Sequence, residues 1–169
     1  MKLRLFSFLA IATLMFACSS DDDNGGTEDV AGTYNLTAFN ISEPQDLNGD
    51  GTASTNQLSE TSCFNGSFVT LNANNTFTAD GKGMELEFDN NGNATTISCY
   101  DDGVYTGTWA RSGNTITFTY MDGTQSYTDT ASFVGNTIKF TIPDGEVVGM
   151  SQGNPVYLTT DLELVYTKS

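Results

Sequence analysis

Histidine is absent from the 169 residues, and lysine and arginine together number 6 against 21 acidic side chains. Without imidazole there is no Ser-His-Asp or Cys-His nucleophile and no common histidine zinc site. A formal charge of −15 repels phosphate backbones and anionic headgroups, so the sequence argues against nucleic acid as a partner and against electrostatic attachment to a membrane. Helical periodicity and internal repeats are also nearly missing. The one long apolar run, residues 5–17, is too short to cross a bilayer as a permanent helix.

That run follows the basic tip Lys2 and Arg4 and ends at Ala17-Cys18, which reads as a lipoprotein signal peptide over residues 1–17. Cys18 is then the expected acylated N-terminus. The alternative is an ordinary secretory signal that leaves Cys18 as a thiol. Met15 and Phe16 stand where bacterial lipoboxes usually carry Leu and a small residue, while the Ala-Cys junction itself is regular. The following Ser19-Ser20-Asp21-Asp22-Asp23-Asn24 resembles the acidic tag that sends Bacteroidota lipoproteins to the outside of the outer membrane. The expected location is therefore the outer membrane, lipid-anchored and facing outward. Residues 18–29 form the lipidated cysteine and an acidic tether, and the lipid is the expected membrane contact.

Residues 30–169 are one domain's length, and period-2 alternation dominates them. In Thr115-Ile116-Thr117-Phe118-Thr119-Tyr120 the threonines share one face and the apolar residues the other, and Thr137 to Ile142 repeats the pattern. Met84 to Phe88 and Leu162 to Tyr166 alternate likewise. Turn signals such as Asp101-Asp102-Gly103, Ser112-Gly113-Asn114, Asp122-Gly123 and Gly135-Asn136 separate the runs. The expected fold is all-β, an antiparallel up-and-down meander of roughly eight to ten strands closing into a barrel, because closure removes exposed edges. A two-sheet sandwich is the alternative.

The chain resembles the lipocalin-like domains of Bacteroidota surface lipoproteins at Gly32-Thr33-Tyr34-Asn35-Leu36, at Asp46 to Gly51 before a cysteine, at Gly107-Thr108-Trp109, and at Leu162 to Lys168. Lipocalins proper have a Trp where this chain has Tyr34. The resemblance implies a cup able to hold a small, largely apolar molecule.

Asp46, Asn48 and Asp50, with Gly51 sixth and the Thr52 carbonyl seventh, match the start of a calcium loop. Ser54 takes the ninth position, and Glu60 is a candidate for closing the shell, since the twelfth position is Gln57. The competing reading is an Asn-Gly-Asp-Gly turn that binds nothing. Calcium is the one cofactor expected, with an affinity of roughly 0.1–1 mM. Cys63 and Cys99 form an even pair once Cys18 is lipidated, so a disulfide stabilising by roughly 3–4 kcal/mol is expected. Thiol catalysis is the rival, without a base nearby in sequence.

Carboxylate pairs such as Glu85 with Glu87, or Asp101 with Asp102, have the chemistry of a glycosidase but read better as a solvated strand face. The protein is therefore read as a non-enzyme. Tyr105 and Trp109 share a strand face, with Gly107 leaving a gap between them. Tyr127, Phe133 and Phe140 are further candidates for lining a cavity, and core packing explains all five equally well. Two functions follow. One is a surface-tethered barrel that binds a small apolar or amphipathic ligand; the other is a non-enzymatic accessory subunit of an outer-membrane protein assembly. The segments Ile41 to Glu60 and Pro143 to Tyr157, both read as long loops, are expected to decide between an open mouth and a plugged barrel.

Overall fold

Alternating Thr and aromatic or branched residues become half-buried strands in the computed structural model, which describes residues 30–89, 94–152 and 154–169. The expected signal peptide at residues 1–17, Cys18 and the expected tether lie outside the described residues. Nine strands follow in chain order: β1 Gly32–Gln45, β2 Ser54–Asn56, β3 Phe68–Leu71, β4 Thr76–Phe88, β5 Ala94–Ser112, β6 Thr115–Asp122, β7 Gln125–Val134, β8 Thr137–Ser151 and β9 Asn154–Lys168. A 3-10 turn, Gln57–Ser59, follows β2. On β6, Ile116, Phe118 and Tyr120 are buried and the intervening threonines are not.

The strands β3 to β9 pair antiparallel in sequence order, and β1 pairs β3 on one edge and β9 on the other, closing an 8-stranded barrel. The sandwich alternative is therefore excluded. Beyond Asn40, β2 lies along β1. Asp101-Asp102-Gly103, expected as a turn, is instead an irregularity inside β5. The register to β4 shifts there between Asp80↔Val104 and Lys82↔Asp101, because a bulge absorbs the extra residue without ending the strand.

The segment expected as a loop from Pro143 to Tyr157 is a hairpin, with Gly145↔Thr160 through Ser151↔Asn154 paired between β8 and β9. Periodicity missed it because Pro143, Gly145 and Gly149 interrupt the alternation. This hairpin leaves the ring at an irregularity between Ile142 and Gly145, where Asp144 turns with φ 51° and its N–H donates to Asp161 Oδ1 at 3.0 Å. It then crosses to β4, pairing Leu86–Phe88 in parallel with Gly149–Ser151. Gly149 is what permits that approach, since a Cβ there would collide with the Phe88 ring and stand 2.8 Å from the Leu86 carbonyl.

Two cores result. The lower one contains Tyr34, Leu71, Ile116, Phe133 and Ile138, each at 1% exposure or less. The upper one contains Phe39, Ile41, Phe64, Met84, Leu86 and Leu162. The 46–67 connection packs onto it through Leu47, Leu58, Cys63 and Phe64, with Phe39 and Phe64 edge to face at 4.8 Å. The Cys63–Cys99 disulfide ties that connection to β5. At this end of the barrel the 46–67 connection therefore packs on the upper core and the β8–β9 hairpin pairs with β4.

Candidate functional site

Between the two cores lies a cavity of about 80 Å³. Its walls come from seven strands: Val69 on β3, Phe77, Ala79 and Asp80 on β4, Tyr105 on β5, Phe118 and Tyr120 on β6, Asp129 on β7, Phe140 and Ile142 on β8, Leu164 and Tyr166 on β9. The rings form one chain. Tyr166 meets Phe140 at 5.9 Å, Phe140 meets Phe118 at 5.3 Å, Phe118 meets Phe77 at 5.1 Å, Phe77 meets Tyr120 at 6.4 Å, and Tyr120 meets Tyr105 at 6.3 Å. Such edge-on and tilted arrangements suit the ring quadrupoles and fix the wall's shape.

Between β7 and β8 the ladder runs only from Val134↔Thr137 to Ser132↔Lys139. Beyond it, no backbone pairing joins Tyr127 to Ala131 with Phe140 to Ile142, and Asp129 and Phe140, on either side of this unpaired stretch, both line the cavity.

Two carboxylates face this aromatic interior. Asp80 sits at the β4 irregularity with its side chain 7% exposed. Its Oδ1 accepts from the Phe68 N–H at 2.9 Å, and its Oδ2 is buried and accepts no hydrogen bond among the described residues. Lys82 Nζ stands 3.9 Å from that Oδ2 and itself donates to the Asn65 carbonyl. Asp129 lies opposite Phe118 in the β6–β7 ladder. Burial raises the Asp129 carboxyl above its ordinary range, while the Tyr120 phenol draws it partly back. Burial first, and then the Asp129 charge, hold the Tyr120 phenol far above its ordinary value. Tyr166 is raised in the same way by burial and then by Asp80. Both phenols therefore keep their protons at neutral pH.

Of the aromatic residues expected to line a cavity, Tyr105 and Phe140 do so. Tyr127 stacks on Tyr120 at 5.8 Å, and Phe133, 1% exposed, fills the lower core. Trp109 packs against that core and donates its indole N–H to the Asn72 carbonyl at 3.0 Å, holding the β3–β4 turn. The Gly107 gap is occupied by neighbours: a Cβ there would collide with the Thr119 carbonyl and stand 2.7 Å from the Phe77 ring. Asp80, Tyr120, Asp129 and Tyr166 were not singled out by sequence. For Asp129 a signal existed, since Tyr127, Asp129, Ala131 and Phe133 fall on one face of an alternating strand.

The Asp46 loop is folded by its own side chains. Asp46 accepts from the N–H groups of Gly49, Asp50 and Gly51, Asn48 Oδ1 from Asp50, and Asp50 Oδ1 from Thr52. Glu60, 5% exposed, joins them through the Leu47 N–H at 3.1 Å, whereas the Ser54 hydroxyl is engaged with Asn56. Among the described residues, no group of three or more His, Cys, Asp or Glu stands together as a metal site. Glu85 and Glu87 are both exposed, on the outer face of β4.

The family model of the lipocalin-like domain matches residues 30–140, which spans β1 to β7 and the start of β8. No curated protein and no solved structure matches the chain. With the closed barrel, its interior cavity and this match together, the chain belongs to the lipocalin-like domain family.

Proposed function

We propose that this protein is a non-enzymatic, lipid-anchored binder that holds a small apolar or amphipathic molecule inside its barrel at the outer membrane. The observation that carries the reading is the aromatic-walled cavity between the two cores, bordered by the unpaired stretch of β7 and β8. A concave site with largely apolar walls and a few convergent polar groups is the usual form of a small-molecule site. Acylation at Cys18 and outward display rest on the leader and the acidic stretch behind it. Calcium enters this reading as an auxiliary ligand of the Asp46 to Glu60 loop, remote from chemistry.

The packing of the 46–67 connection on the upper core favours a second reading, an accessory subunit of an outer-membrane protein assembly, because that connection offers exposed residues such as Asn48 and Asp50 to a partner. Native mass spectrometry of the lipoprotein purified gently from its own cells separates the two. A stoichiometric small-molecule adduct supports the binder. A bare mass, or a co-purifying protein, supports the accessory role instead.

A further inference from the structure

We infer that the cavity selects a ligand with a compact cationic amine head, received by the carboxylates of Asp80 and Asp129 and by the surrounding tyrosine rings. This deepens the binder reading and rests on it. A buried carboxylate oxygen is costly unless charge and hydrogen bonds compensate it. The Oδ2 of Asp80 is such an oxygen, without a hydrogen bond among the described residues and with its neighbouring cation 3.9 Å away. The other basic residues of the barrel are engaged elsewhere: Arg111 lies over Phe133, Lys139 pairs with Glu163, and Lys168 lies over Tyr34. An ammonium group brings three donors and a full charge.

The rings add to this. Tyr105, Tyr120 and Tyr166 border the same space, and aromatic faces attract cations, most strongly where water is excluded. The negative charge of the whole chain raises the local concentration of cations and repels carboxylates, which disfavours fatty acids. Size sets the head: about 80 Å³ is below the roughly 150 Å³ that holds benzene. An apolar tail is expected to leave along the unpaired stretch of β7 and β8.

The test titrates the full mature chain, by calorimetry and by NMR, with hexylammonium, hexanol and hexanoate. Hexylammonium is expected to bind about tenfold or more tighter than hexanol, with hexanoate weakest. Asp80→Asn, which keeps the Oδ1 acceptor for Phe68, and Asp129→Asn are each expected to reduce that preference, read as the ratio of hexylammonium to hexanol affinity, about fivefold. Should Asp80→Asn fail to fold, Asp129→Asn and the wild-type series still decide. Equal binding of hexanol and hexylammonium overturns the inference and leaves the binder standing. A preference that survives the substitutions overturns it too, by assigning the selectivity to surface potential. Binding of none of the three removes the inference and the binder together.

Discussion

Asp129 and Phe118 are direct partners across the β6–β7 ladder, so a carboxylate and an aromatic ring face the same barrel interior. The pairing sets a pH signature. Asp129 has its carboxyl raised by burial, so the folded state holds the proton more tightly than the unfolded chain. The stability this contributes is present below the ordinary Asp value and is lost as pH rises through the raised one. Asp129→Asn is therefore expected to gain on the wild type between acid and neutral pH in urea melts. Equal pH dependence of the two proteins would contradict the burial of that carboxyl.

Glu163 carries the opposite sign. The hydrogen bonds from Lys139 and then Asn40 hold its carboxyl below the ordinary range, and the Lys139 pair measures 3.0 Å. Its contribution is present above the ordinary Glu value and fades as pH falls through the lowered one. Glu163→Gln should flatten the acid limb of the stability curve slightly, since exposed pairs are worth little.

Gly107 is paired with Phe77 on one side and Tyr120 on the other, and both rings line the cavity. Gly107→Ala would push a methyl into the Thr119 carbonyl and the Phe77 ring. A loss of about 1–3 kcal/mol is expected from denaturant midpoints, with the same variant weakening ligand binding as the rings shift inward.

Breaking the Cys63–Cys99 bond by Cys99→Ser should cost roughly 2–5 kcal/mol. Hydrogen exchange should rise first across residues 46–67 and last at Ile116 and Phe133, which belong to the other core. Asp46→Ala removes the acceptor of three N–H groups and should loosen the loop by about 1 kcal/mol. Chelation alone should leave the loop folded, because those acceptors are side chains of the chain itself.

The all-β class, β6, and the parts of β8 and β9 over Thr137 to Ile142 and Leu162 to Tyr166 were legible because each keeps one alternating face, as in Ile116, Phe118 and Tyr120. The β8–β9 hairpin was not, because Gly145 and Gly149 are required by close packing against Leu162 and Phe88 rather than by turns. Asp80 illustrates a second limit: Asp80-Gly81 gives no strand pattern, and a single shift of register at that point decides which face a side chain takes. Trp109 shows the reverse, a conspicuous aromatic whose indole serves the Asn72 turn.

The central claim is that the cavity holds a molecule, and Ala79 offers the most direct test because it lines that space with a small side chain. Native mass spectra of the wild-type protein and of Ala79→Leu, purified from the same cells, should show a stoichiometric small-molecule adduct in the first and its loss in the second, with both barrels folded. An adduct missing from the wild type, or unchanged by Ala79→Leu, would contradict the account.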